Sequence, residues 1–201
     1  GVAGHQISHS MGVEIDYIVA KSLTTATNGG WQVSQSVSTA GLVLNQTWGA
    51  GTSPKSFPTT TSDYVQHSST YPTYSNESNV EYIMYYKCKS ETFTIGTYTG
   101  TGVAGNFVET RDVNGVARRP ARVIIKRVDA VGGWLVLDGV RDNFTNYIYL
   151  NASNAEGSYE GILSLPNGFT LLSAGSEVNA SGVKYLYLVE FDTDNTGTTG
   201  S

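Results

Sequence analysis

The chain predicts an all-β protein, a tandem repeat of antiparallel β-sandwich units. Three observations carry that expectation. Short apolar runs alternate with polar residues at period two and are separated by glycine-bearing turns. No segment longer than a turn or two shows a helical period. The sequence also repeats internally: Trp31 and Trp134 stand 103 residues apart, and the block Asn76 to Ile83 precedes Asn179 to Leu186 by the same distance.

The repeat is organised on a hairpin. Tyr17-Ile18-Val19-Ala20-Lys21, a loop ending in Gly29-Gly30 and then Trp31-Gln32-Val33 form the first copy. Arg122 to Arg127, a loop ending in Gly132-Gly133 and then Trp134 to Asp138 form the second. Each reads as an apolar run, a turn whose glycines supply positive φ, and a return strand opened by a large aromatic. Gly1-Val2-Ala3-Gly4 recurs as Gly102-Val103-Ala104-Gly105, and Leu42-Val43-Leu44-Asn45 answers Ile148-Tyr149-Leu150-Asn151. Loops between matched strands carry insertions, so these offsets differ slightly from that of the tryptophans.

In chain order, Gly1 to Gly12 has Ile7 and Met11 as apolar anchors. After the first hairpin and a short strand at Val43, residues 47–73 are rich in Thr, Ser, Pro and Gly and read as a long surface or partner-wrapping loop. Val80 to Lys87 alternates with both faces partly apolar, which predicts a central strand. Phe93 to Gly102 is an alternating strand running into a glycine-rich turn, and the boundary falls just before it: residues 1–92 form the first sandwich and 93–201 the second. Val183 to Phe191 alternates most regularly of all. The start at Gly1, inside a repeat, is that of a processed product or a fragment.

Composition excludes several functions. Charged residues are 14 % of the 201, against roughly 25 % in an ordinary soluble protein. The net charge of −5 and a pI near 5.1 disfavour nucleic acid as a partner. Arg111, Arg118, Arg119, Arg122, Lys126 and Arg127 are a local exception. They read as a solvated loop and strand face, the alternative being contact with an anionic partner or a neighbouring subunit. No apolar run is long enough to insert into a membrane. Cys88 is the only cysteine and reads as a structural thiol in an aromatic strand.

Neither a Gly-x-Ser-x-Gly elbow nor a phosphate loop is present. His5, His9 and His67 lack a cysteine or a carboxylate at ligand spacing, so no metal and no other cofactor is expected. Glu156 with Glu160, and Asp138 with Asp142, are the carboxylate pairs a glycosidase would need, but loop carboxylates are usually solvated and the expectation is no enzyme. Five Asn-x-Ser/Thr triplets, beginning at Asn45, Asn76, Asn143, Asn151 and Asn179, follow from a composition rich in those residues. The binding candidates are loop aromatics, Trp48, Tyr64, Tyr71 and Tyr74, whose rings either pack at a subunit interface or stack on sugar faces.

Ile95 to Gly102, Pro120 to Arg127, Gly133-Trp134, Tyr147 to Asn151 and Asn179 to Tyr185 resemble a repeat domain of bacteriophage tail-fibre and other virion structural proteins, frequent in marine and cyanobacterial phages. The resemblance spans almost all of the second copy; the first departs from it at Glu14-Ile15-Asp16, where a Pro-Ala or Pro-Asp pair is usual. It implies a concanavalin A-like or jelly-roll sandwich in a virion appendage, outside the cell. The implied partners are other copies of the chain in a homo-oligomer, other virion proteins and host-surface glycan. Capsid decoration, a filament-forming protein and a secreted carbohydrate-binding module are the alternatives.

Overall fold

A computed structural model describes residues 2, 4–24, 30–37, 41–47, 56–68, 75–158 and 161–193. They form antiparallel sheets and one helical turn. The chain divides into two compact units, Gly1–Cys88 with Val128–Gly132, and Lys89–Arg127 with Gly133–Ser201.

The first unit contains β1 (Gln6–Ser8), β2 (Tyr17–Ser22), β3 (Gln32–Gln35), β4 (Leu42–Val43), β5 (Thr59–Thr60), β6 (Tyr64–Gln66) and β7 (Tyr82–Lys87). Four strands make one sheet in the order β4-β3-β2-β7, and three make another in the order β1-β6-β5. Side chains alternate across a strand, so each sheet turns one apolar row inward. Ile18 and Ala20 of β2 meet Val65 of β6, with Ile15 and Phe57 beside them and Ile7, Met84 and Tyr86 at the margin.

The second unit contains β8 (Phe93–Thr99), β9 (Asn106–Glu109), β10 (Pro120–Arg127), β11 (Trp134–Asp138), the turn of helix α1 (Gly139–Asp142), β12 (Asn146–Tyr149), β13 (Gly157–Ser158), β14 (Ile162–Leu165), β15 (Gly168–Leu171) and β16 (Lys184–Phe191). Its sheets run β13-β12-β11-β10-β16-β8 and β14-β15-β9. Val123, Ile125, Leu135, Leu137, Tyr185 and Val189 of the larger sheet share one core with Val108, Ile162, Phe169 and Leu171 of the smaller.

Local bonds coincide between the units at the positions counted in the sequence. The Trp31 N–H donates to Asn45 Oδ1 at 2.9 Å, and the Trp134 N–H to Asn151 Oδ1 at 2.7 Å. Leu44 N–H donates to the Trp31 carbonyl as Leu150 N–H does to that of Trp134. The Tyr82 hydroxyl accepts the Glu77 N–H, and the Tyr185 hydroxyl that of Ala180. In the smaller sheets Ile7 pairs with Val65 and Val108 with Phe169, and the strands continue with His9 N–H on the Asp63 carbonyl and Thr110 N–H on that of Asn167. The glycine before each tryptophan has a steric reason. A Cβ on Gly133 would lie 2.4 Å from the Tyr149 ring, and one on Gly30 would lie 2.9 Å from Val43 Cγ1.

The hairpin glycines before the tryptophans do not supply positive φ: neither Gly30 nor Gly133 lies in that region, and the close approach of Val43 and Tyr149 is what calls for glycine there. Four further expectations need correction. β7 is an end strand of its sheet and not a central one: the apolar character of both its faces came from side chains that stay half-buried or exposed. The Thr/Ser/Pro-rich stretch is not a bare loop, since it carries β5 and β6, and Val65 and Phe57 within it are buried. Met11 is no anchor, being 48 % exposed. Lys126 is not solvated: it is fully buried beside its cross-strand partners Trp134 and Leu186, which are fully buried too.

Candidate functional site

Two clefts occupy matching places in the two units. In the first, the strand entry Glu14-Ile15-Asp16, the end of β3 (Ser34, Gln35, Ser36) and the segment Phe57 to Thr60 enclose about 230 Å³. Phe57, Ile15 and Ile18, all buried in the core of this unit, supply its apolar lining. Around that lining the rim is polar and its groups are tied down. Thr60 Oγ1 donates to Glu14 Oε1 at 2.9 Å, Ser36 Oγ to Asp16 Oδ1 at 2.7 Å, and the Phe57 N–H to Ser34 Oγ at 3.1 Å. A carboxylate that accepts one hydroxyl keeps further acceptor capacity, so the lining combines acceptors with an aromatic ring.

In the second unit, Arg119, Pro120 and Ala121 stand where Glu14, Ile15 and Asp16 do, and Gly139 stands where Ser36 does. With Ile162, Leu163 and Ser164 they bound about 330 Å³. Ser164 Oγ donates to the Pro120 carbonyl at 2.8 Å. Phe144 fills the floor; its backbone and that of Asn143 have positive φ, and the bare Cα of Gly139 leaves room for its ring. Chain geometry is thus shared while chemistry is not: one rim carries Glu14 and Asp16, the other Arg119 and Asp192 among apolar groups.

Of the proposed binding aromatics, Trp48, Tyr71 and Tyr74 lie outside the described residues. Tyr64 is half-buried on β6 opposite Ser8 and lines neither cleft. Nothing in the sequence marked the clefts, because each is assembled from three distant segments whose residues differ in type between the two units.

The carboxylate pairs are engaged structurally. Asp138 caps α1 by accepting the Val140 and Arg141 N–H groups, and pairs with Arg122 at 2.9 Å. Burial works against its ionised form, but the Arg122 bond and the capping donors hold its pKa below the usual carboxylate value. Asp142 pairs with Arg141 at 2.6 Å, and Arg141 also reaches Glu156. Glu160 lies outside the described residues.

The basic cluster is likewise internally matched. Arg111 pairs with Glu109, Arg118 with the buried Asp112, and Arg122 with both Asp138 and Glu190. Burial pushes the Lys126 amine down to about 8, with Glu177 working the other way. Burial, aided by the nearby Asp16, raises the pKa of the half-buried Cys88 thiol, which is the opposite of what a nucleophile needs. His67 is buried against Phe57, shares a hydrogen bond of 3.0 Å with Ser75 Oγ, and is pushed down to about 4 by burial and by His5. Among the described residues no three His, Cys, Asp or Glu side chains gather where they could hold a metal ion, and no helix is long and apolar enough to cross a membrane.

A family model described as a domain of unknown function, DUF7483, matches residues 1–192. The chain belongs to this family. The DUF7483 match runs through both units. No curated protein and no solved structure matches the chain.

Proposed function

We propose that this DUF7483 chain is a non-enzymatic structural protein of a virion, built as a tandem repeat of two antiparallel β-sandwich units and used in a phage tail fibre or appendage that meets the host surface. The observation that carries this reading is the coincidence of local bonds in the two units, from the Trp–Asn pair to the Tyr hydroxyl clamp. Duplicating a scaffold while changing its rim chemistry suits a protein whose task is to extend and to adhere. A surface low in charge and rich in Gly, Ser, Thr and Asn agrees with it, as does the resemblance to virion repeats. Paired copies and other virion proteins are its partners, and variable loops face the host or the capsid.

A second reading has its own support. The first cleft, with Phe57 below and Glu14, Asp16, Ser36 and Thr60 around it, suits a neutral sugar ring, so the chain would be a carbohydrate-binding module. Mass spectrometry of purified particles, with antibody labelling of intact ones, separates the two. Particle-associated chain accessible to antibody supports the virion reading. A chain absent from particles that binds soluble glycans as a monomer, and loses them on Phe57→Ala, supports the second.

A further inference from the structure

We propose that the free edge of β7 is an acceptor for one more antiparallel strand, of the β8 type, supplied by a further repeat of this family. This deepens the reading above and rests on the equivalence of the two units, not on the viral setting.

The starting observation is an asymmetry. β16, the counterpart of β7, lies between β10 and β8, and seven consecutive residues of β8 pair with it, from Phe93 opposite Glu190 to Thr99 opposite Lys184. Among the described residues β7 has β2 on one side and no strand on the other. Exposure differs as well: Leu186 and Leu188 are 0 % and 5 % exposed, whereas their counterparts Ile83 and Tyr85 are 36 % and 53 % exposed.

The backbone shows which groups wait at that edge. The Leu23 N–H donates to the Glu81 carbonyl, and in an antiparallel ladder alternate residues face the same neighbour. Ile83 and Tyr85 therefore share β2's side with Glu81, and the N–H and C=O groups of Tyr82, Met84 and Tyr86 point outward. In β16 the same-phase residues face β8, as the Gly100 N–H on the Val183 carbonyl and the Phe191 N–H on that of Thr92 bracket the ladder.

Unpaired edges are normally guarded by proline, bulges or a central charge. The run Tyr82-Ile83-Met84-Tyr85-Tyr86 contains none of them. An added strand forms a backbone ladder and takes its selectivity from alternate side chains. In the second unit Tyr98 stacks on Tyr185 with ring centroids 5.1 Å apart, and Gly96 makes room for the Tyr187 ring. Tyr82 repeats Tyr185, so the occupant carries an aromatic opposite it. Met84 replaces Tyr187, so the residue opposite is free to be larger than glycine.

The test places a second copy of residues 89–101 directly ahead of Gly1 in the full chain, since Gly1 is the sequence counterpart of Gly102. Hydrogen exchange at the Tyr82, Met84 and Tyr86 amides is then compared by NMR with the unfused chain. The expected result is slowing by about tenfold or more at all three. Met84→Pro in the fusion, which removes an outward donor and no bond to β2, should return Tyr82 and Tyr86 to fast exchange. Two results overturn the assignment: unchanged exchange in the fusion, or slow exchange already in the unfused chain, whether from within the monomer or from β7 pairing with β7 in a dimer. The wild-type comparison decides even where the proline variant fails to fold. Protection in the fusion without the chain in particles would leave the edge standing and remove the viral setting.

Discussion

Asn151 holds Trp134: its side-chain oxygen takes the backbone N–H of the tryptophan at 2.7 Å, under an indole that is fully buried. Removing the acceptor takes the partner from a donor on a fully buried residue. Asn151→Ala is expected to cost about 1–3 kcal/mol in urea unfolding followed by tryptophan fluorescence. Asn45→Ala, beside the half-exposed Trp31, should cost about 1 kcal/mol or less, because solvent replaces the lost partner.

The glycine before Trp134 makes room for an aromatic ring. Gly133→Ala forces a methyl against Tyr149 and should destabilise by about 1–3 kcal/mol. Tyr149→Val imports the smaller partner that faces Gly30 in the other unit, where the clash distance is longer. In the double variant the glycine replacement should cost clearly less than it does alone, measured as a coupling in a double-mutant cycle.

Acid should act through His67. Its folded value is depressed to about 4 from an ordinary 6.5, so the neutral ring is the folded form. Below pH 6.5 the unfolded chain takes up a proton that the folded chain refuses, and stability falls until about pH 4, where both are charged. The loss is on the order of 3 kcal/mol at most. Titration of the His67 ring by NMR gives the folded value directly, and His67→Phe should flatten this part of the stability curve.

Base should act oppositely through Lys126. Its folded value is lowered to about 8, so between pH 8 and 10 the unfolded chain holds more protons and stability of the second unit rises with pH. Lys126→Met should remove that rise and be at least as stable as the natural chain at pH 7, since a buried ammonium is replaced by a thioether of similar length. Chemical denaturation at a series of pH values checks both statements.

The larger sheets were legible because their strands are long, alternating and marked by Gly-Trp and by aromatics on one face: Tyr185, Tyr187, Val189 and Phe191 all lie in the core of the second unit as their period requires. β5 and β6 were not legible. They are two and three residues long, and Val65 alone supplies their apolar row among threonines and glutamine. β7 was misread for a different reason. Apolar residues on both faces do not require a neighbour on both edges: among the described residues β7 ends its sheet, and its side chains stay half-buried or exposed. Lys126 shows the limit of charge reading, since Arg122 on the same face of the same strand stays half-exposed while Lys126 is fully buried. The clefts were hidden because Glu14, Ser36 and Thr60 meet only through the sheets, and their counterparts Arg119, Gly139 and Ser164 are chemically dissimilar.

Pictured in place, the chain should reveal its role most directly. A cryo-EM map of the native particle that contains it would report location, neighbours and strand pairing together. The map is expected to show copies in a surface appendage, with a strand of the next repeat added along Tyr82 to Tyr86. Particles lacking the chain would contradict the virion assignment. Copies buried in a capsid wall, sealed between subunits, would contradict the role in host attachment.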